Sequence, residues 1–223
     1  MTVKLFITGT DTDVGKTYIT LGILNAFKKQ KYSTLGIKPV ASGCVKNNGH
    51  LQNADALALQ QNSSILLHYH QINPFAFEPP ISPNIAAAEA KRDITVHELK
   101  QKTQYALQHP ADICLVEGVG GWYVPLNRTE TMADYVKTIG LNTILVVGVR
   151  LGCINHTLLT VQAILRDNVA LVGWIANCID PQMSHRQENI DTLKECLPIP
   201  CLGVVNYMQK VEEGIDIKQF FTL

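Results

Sequence analysis

Short apolar runs rich in β-branched residues alternate along this chain with stretches that are apolar on one side only. Residues 3–8, VKLFIT, predict a strand. Residues 17–29 predict a helix, because Ile19, Ile23, Leu24 and Phe27 recur at helical spacing on one face. STLGIKPV at 33–40 predicts a second strand, stopped by Pro39, which has no N–H for a ladder. The Ala/Leu-rich residues 53–60 read as a helix. NPFAFEPPISPN at 73–84 reads as a loop, long enough to carry a function. Helices follow near 85–91 and at 96–108. ADICLVEG at 111–118 predicts a buried strand and runs into the glycine-rich turn GVGGW. The rest alternates regularly: a strand at 143–149, a helix at 151–166, a strand at 170–179, a helix at 185–196 and a last strand at 200–205.

These strands are apolar on both faces and are separated by helices. That pattern predicts an α/β fold whose mostly parallel sheet is covered by helices on both sides. With no repeat, linker or low-complexity segment in 223 residues, one domain spanning 1–223 is expected.

Composition narrows the function. At 46% hydrophobic and 17% charged the chain is globular, and its formal net charge is zero. Nothing there draws it to nucleic acid or an anionic membrane. Of the six cysteines, none form C-x-x-C pairs, and Cys114 and Cys178 lie inside apolar runs as small core residues. With no secretory pattern at the start and no apolar run of spanning length, a cytoplasmic enzyme is expected.

The candidate chemistry begins between the first strand and the first helix, at GTDTDVGKT, residues 9–17. A glycine-containing turn there aims backbone N–H groups and a helix N-terminus at phosphate. Lys16 would reach the outer phosphates and Thr17 would supply a hydroxyl to Mg²⁺. Gly9 stands one residue further back than the usual spacing and Thr10 takes the expected glycine position. Nucleotide-dependent switch and partitioning ATPases are the alternative class with this topology. Their signature lysine falls at Asp11 here, a reversal of charge that speaks against them.

Ligands of open α/β sheets lie beyond the carboxyl ends of the strands, so the other polar residues there matter. Lys38 ends the second strand beside Pro39, with Ser42 following in KPVASG. Alone, such a lysine reads as a surface residue; the adjoining proline and Ser-Gly turn give it weight. Asp55 sits near a helix start, where a carboxylate ordinarily serves the helix dipole. Glu117 ends ICLVE, where phosphate-loop enzymes place an acid near Mg²⁺. Gly152 and Cys153 fall at a helix N-terminus able to take a carboxylate. Asn177 offers an amide that can pair with an adenine edge. His68 and His70 alternate in a loop and read as polar surface. A serine-hydrolase elbow and a dinucleotide fingerprint are both missing from the sequence.

Together, GTDTDVGKT (9–17), KPVASG (38–43), NADALAL (53–59), INPFAF (72–77), SPNIAA (82–87), LVEGVGGW (115–122), VVGVRLGCINH (146–156) and GWIAN (173–177) resemble the dethiobiotin synthetase family of the P-loop NTPase superfamily. The resemblance implies a seven-stranded, mostly parallel sheet and a homodimer with the substrate site at the subunit interface. It implies closure of a ureido ring from 7,8-diaminopelargonate, CO₂ or bicarbonate, and ATP, with Mg²⁺, giving dethiobiotin, ADP and phosphate. It assigns ATP binding to Thr12, Asp13, Val14, Gly15, Lys16, Thr17 and Tyr18, to Asp55, Glu117, Gly118, Val119 and Gly120, and to Asn177, Asn206, Tyr207, Met208 and Glu213. Thr17, Asp55 and Glu117 would hold the metal. Lys38 and Lys16 would be catalytic. Thr12 and Ser42 would touch substrate, and Gly152, Cys153, Ile154 and Asn155 of the partner subunit would hold its carboxylate tail. Two departures stand out: Asp13 replaces a glutamate, and NYM at 206–208 replaces a proline–aromatic pair.

Overall fold

A computed structural model describes residues 3–221. Its centre is a six-stranded sheet of β1 (Val3–Gly9), β2 (Thr34–Ile37), β7 (Ile113–Glu117), β8 (Asn142–Gly148), β9 (Leu171–Asn177) and β10 (Cys201–Val205), in the order β10-β9-β8-β1-β7-β2. Every neighbouring pair in it is parallel. Two small ladders stand apart: β3 (Val40–Ala41) with β6 (Phe75–Ala76), and the hairpin of β4 (Val45–Asn47) with β5 (His50–Gln52).

The expected seventh strand is therefore corrected to six among the described residues. Past β10, the described residues return to the sheet in a single antiparallel bridge between Gly203 and Ile215. It is then taken up by a 3₁₀ turn at Ile217–Phe221. The predicted strand 33–40 also divides. Pro39 cannot donate to a ladder, and the Lys38 N–H turns to Ile72 O at 2.9 Å, so the pairing with β7 ends at Ile37.

The strands alternate between two cores. Leu5 and Ile7, Ile113 and Leu115, and Ile144 and Val146 meet α1 (Lys16–Lys29), whose Ile19, Ile23, Leu24 and Phe27 form the predicted face. Phe6, Cys114, Val116, Leu145, Val147 and Trp174 face the other way. They pack on α5 (Val96–Gln108), α6 (Met132–Ile139), α7 (Cys153–Arg166) and α8 (Arg186–Cys196). The edge is closed by α2 (Ala54–Asn62), the single turn α3 (Tyr69–Ile72), and α4 (Pro83–Glu89), which begins inside the predicted proline-rich loop. A short α9 (Val211–Gly214) lies on α1, so tightly that a Cβ at Gly22 would come within 2.1 Å of Val211.

Two elements carried signals that hydrophobic periodicity alone does not show. α6 starts with a capping box: Thr131 Oγ1 accepts the Asp134 N–H while Asp134 accepts the Thr131 N–H. The β4–β5 hairpin turns at Asn48-Gly49, both at positive φ (48° and 82°), the standard two-residue hairpin signal.

Candidate active site

The site forms where sheet parity and register bring distant residues together. In β7, Ile113 and Leu115 face α1, so Glu117, two residues on, faces the same side. In β2, Gly36 faces α1 and so does Lys38 two residues later. Ile37 pairs with Val116, which sets Lys38 beside Glu117. Lys38 Nζ donates to Glu117 Oε1 and to Asp55 Oδ2, each at 2.6 Å, and Thr17 Oγ1 donates to Glu117 Oε1 at 2.6 Å. One carboxylate thus links the phosphate loop to the second-strand lysine, across 100 residues of sequence from Thr17.

The loop itself turns through two left-handed residues, Asp13 (φ 58°) and Gly15 (φ 87°). Aspartate tolerates that conformation; at Gly15 only glycine fits, because a Cβ there would meet Asn177 Nδ2 at 2.1 Å. Gly15 also starts α1, so the first free N–H groups of that helix open toward the loop. Lys16 is buried and its Nζ donates to Asp11 O at 2.8 Å. The Asp11 carboxylate accepts the Thr12 N–H at 2.7 Å and Arg150 Nη2 at 2.6 Å. Asp11 therefore braces the loop against the β8–α7 connection.

Charge is finely set here. Burial, then the nearby Lys38 charge, lowers the pKa of Lys16 to about 8, against the opposing pull of Glu117, Asp11 and Asp13. Lys38 is also buried, which works to lower its pKa, but Glu117 and Asp55 outweigh burial and raise it, so it remains an ammonium. Glu117 is fully buried, and its Oε2 has no hydrogen-bond partner. A buried carboxylate oxygen left over beside a hydroxyl and a second carboxylate is a hard, all-oxygen donor set, which suits Mg²⁺. Among the described residues no three His, Cys, Asp or Glu side chains gather to bind a metal, so a metal here would need further donors beyond Glu117 and Asp55, such as the Thr17 hydroxyl.

These groups open into a cleft of about 800 Å³. Thr12, Asp13, Gly15, Lys16, Thr17, Lys38, Ser42, Asp55, Val119 and Gly120, all named from the sequence as site candidates, line it. Asn53, Val124 and the Pro80–Pro83 run also line it. The sequence reads that run as part of a proline-rich loop and, from Ser82, of the motif SPNIAA, and it reads Asn53 as the first residue of the helix at 53–60, with no site role for any of them.

A second group gathers beside the loop. Val205 pairs with Asn177, and Asn177 Nδ2 donates to Val14 O at 2.9 Å. Tyr18 Oη donates to Gln209 O, and the Gln209 side chain accepts from Asn206 N and Nδ2, each at 3.0 Å. So Tyr18, Asn177 and the exposed Asn206, Tyr207 and Met208 lie at one end of the phosphate loop, outside the cleft. Glu213 is exposed on α9. Gly152, Cys153, Ile154 and Asn155 form the start of α7 and do not line the cleft of their own chain. His68 and His70 stack with ring centroids 5.7 Å apart on the surface.

A family model described as an AAA domain matches residues 3–214. Among curated proteins, the ATP-dependent dethiobiotin synthetase BioD of Pseudomonas paraeruginosa is 51% identical over 200 residues, covering 90% of this chain and 88% of that protein. The ATP-dependent dethiobiotin synthetase BioD 1 of Escherichia coli O157:H7 is 44% identical over 223 residues, covering 100% and 99%. Among solved structures, cobyrinic acid a,c-diamide synthase of Mycobacterium smegmatis, with bound ADP and magnesium, superposes with a TM-score of 0.59 at 13% identity, covering 96% of this chain and 92% of that one. The septum site-determining protein MinD of Pyrococcus horikoshii, complexed with Mg-ADP, gives 0.57 at 16% identity, covering 99% and 89%. At such identities the last two show the fold alone.

Proposed function

Because this chain belongs to the ATP-dependent dethiobiotin synthetase family, we propose that it joins 7,8-diaminopelargonate to CO₂ through a carbamate and a carbamic–phosphoric anhydride. ATP-dependent formation of dethiobiotin in biotin synthesis is the family activity, and the chain is a ligase. One amine adds to CO₂ and loses a proton, giving a carbamate. A carbamate oxygen attacks the γ-phosphorus of ATP and ADP leaves. The second amine attacks the anhydride carbonyl, phosphate departs, and the ureido ring closes.

The main electrostatic difficulty is that one anion must approach another. Lys38 and Lys16 meet it from two sides. Lys16, in the phosphate loop, binds the outer phosphates. Lys38, held by Glu117 and Asp55 at the cleft floor, orients the carbamate and balances its charge. Such fixed charges act strongly where water is excluded. Thr12 and Ser42 line the same cleft and hold the reacting end of the substrate. Thr17, Asp55 and Glu117 would hold Mg²⁺, which when bound supplies Lewis-acid stabilisation of phosphoryl oxygens. Tyr18, Asn177, Asn206, Tyr207, Met208 and Glu213 would surround the base of ATP. No side-chain nucleophile is required, because positioning provides most of the acceleration. The single observation that supports this reading best is the chain of contacts from Thr17 through Glu117 to Lys38, which sets a buried ammonium, held by two carboxylates, beside the phosphate loop.

The protein would act in the cytoplasm as a homodimer, with Gly152–Asn155 of one subunit closing the substrate site of the other. No helix of the described residues is long and apolar enough to cross a membrane. The exposed face around α7 supports the dimer: Leu151 is 91% exposed, and Leu159, Leu165 and Tyr123 are exposed as well. The test is ADP release with ATP and Mg²⁺, with and without diaminopelargonate and bicarbonate. Release that needs both substrates is the expected outcome. ADP release at full rate without the diamine would overturn the reading.

A further inference from the structure

The single turn α3 holds a polar network, half-buried at Tyr69 and buried at Asn73 and Asn53, that touches three cleft residues from behind. Tyr69 and Asn73 lie one helical turn apart, so their side chains share a face. Tyr69 Oη donates to Asn73 Oδ1 at 2.9 Å and accepts the Asn53 N–H at 2.7 Å. Asn73 is buried, and its Nδ2 donates to Lys38 O at 2.7 Å and to Phe75 O at 3.2 Å. Asn53 Nδ2 donates to Ser42 O at 3.2 Å, and its Oδ1 accepts from Asp55 N at 3.0 Å and Ala56 N at 3.2 Å. One phenol therefore ties the backbones of Lys38, Ser42 and Asp55 into a single unit.

We propose that Tyr69, acting through Asn73 and Asn53, is a positioning residue that fixes the Lys38 ammonium against Asp55 and the reacting anion. The physical reason lies at Pro39. β2 loses its ladder partner there, and the backbone carrying Lys38 leaves the sheet. Without a sheet to hold it, the Lys38 carbonyl needs another donor, and Asn73 supplies it. The Asn73 amide is oriented at one end by the Lys38 and Phe75 carbonyls and at the other by the Tyr69 hydroxyl, which donates to Oδ1. Burial pushes the Tyr69 phenol up, so it keeps the proton it donates. The outer rim of this unit is the motif INPFAF, whose Asn73 and Phe75 carry the Lys38 carbonyl contact and the β3–β6 ladder. The inference rests on the reading that Lys38 acts on the reacting anion.

The test is Tyr69→Phe, which keeps the ring and removes the hydroxyl. Its kcat should fall about tenfold, while KM for ATP stays within about twofold, because loss of alignment costs the reaction more than it costs nucleotide binding. In the Lys38→Gln background the same substitution should lower residual kcat no further, since its effect travels through Lys38. A second variant, Asn53→Ser, keeps a helix cap but cannot reach Ser42 O; it should also lower kcat with little change in KM for ATP. Normal kcat in both Tyr69→Phe and Asn53→Ser, or equal tenfold losses with and without Lys38, would overturn the positioning role. Normal kcat in Lys38→Gln alone would instead remove the reading of Lys38 on which it rests.

Discussion

Lys38 carries two carboxylates at once, and they are not equivalent. Glu117 is fully buried, whereas the Asp55 side chain is 44% exposed and already partly hydrated. Removing the Lys38 charge leaves Glu117 with the Thr17 hydroxyl and an unpaired oxygen in the interior. Lys38→Gln should therefore lower kcat by about a hundredfold or more while the Kd for ATP, which the loop sets, changes by less than about threefold. Unaltered turnover would exclude Lys38 from the reaction. Glu117→Gln should raise the Mg²⁺ concentration for half-maximal activity by about tenfold, and Asp55→Asn by less. Identical Mg²⁺ titrations in wild type and both variants would show that these carboxylates do not hold the metal. At Gly15 the prediction is steric. A methyl group there would strike the Asn177 amide at a residue already at φ 87°. Gly15→Ala should therefore lose measurable ATP binding by calorimetry while the sheet, judged by circular dichroism, remains.

At the scale of elements, α6 is short and depends on its ends. Its capping box and the Gly140 cap at φ 65° close both of them. Asp134 also receives a hydrogen bond from Lys137, which together with the Thr131 contacts holds its carboxyl below the usual carboxylate range. The sign follows directly. A carboxyl whose folded pKa is depressed contributes stability above its unfolded value near ~4, and that contribution is lost as pH falls through the folded value. Thr131→Ala should cost about 1 kcal/mol in urea unfolding at pH 7. Asp134→Asn should lower the midpoint at pH 7 and reduce the part of the acid-induced loss that this group causes. If the wild type and Asp134→Asn lose stability in parallel between pH 5 and pH 3, the carboxylate does not contribute in this way.

For the whole molecule, the open question is where the substrate site is completed. The cleft contains the loop, Lys38 and Asp55, but the α7 N-terminus faces outward next to exposed Leu151. A site shared between two copies makes a specific prediction. Lys38→Gln and Asn155→Ala homodimers should each be impaired in dethiobiotin formation. Mixed and allowed to exchange subunits, they should recover up to about a quarter of wild-type activity, since half the dimers are hybrids with one intact site of two. No recovery, with exchange verified by mass, would place both residues in the same chain's site.

The alternation of apolar strands with one-faced helices fixed the fold class, the strands of the sheet and the face of α1, because these depend on local periodicity, while the short α3, α6 and the β4–β5 hairpin escaped it. The loop at 9–17 and the strand-end residues Lys38 and Glu117 were legible for the same reason: their position after a strand is written in the chain. Local pattern marked six strand runs, and those six pair, although 33–40 stops at Ile37; the seventh strand was implied only by the family resemblance, and the Gly203–Ile215 bridge shows the edge closing without it among the described residues. The contacts that make a site were not in the sequence. Parity and register set Lys38 beside Glu117, and the side chains of Asn53 on one segment and of Tyr69 and Asn73 on another hold Lys38, Ser42 and Asp55 together. A hydrogen bond between residues far apart in the chain has no local signature; only packing, which brings the segments within reach and excludes water, decides that it forms.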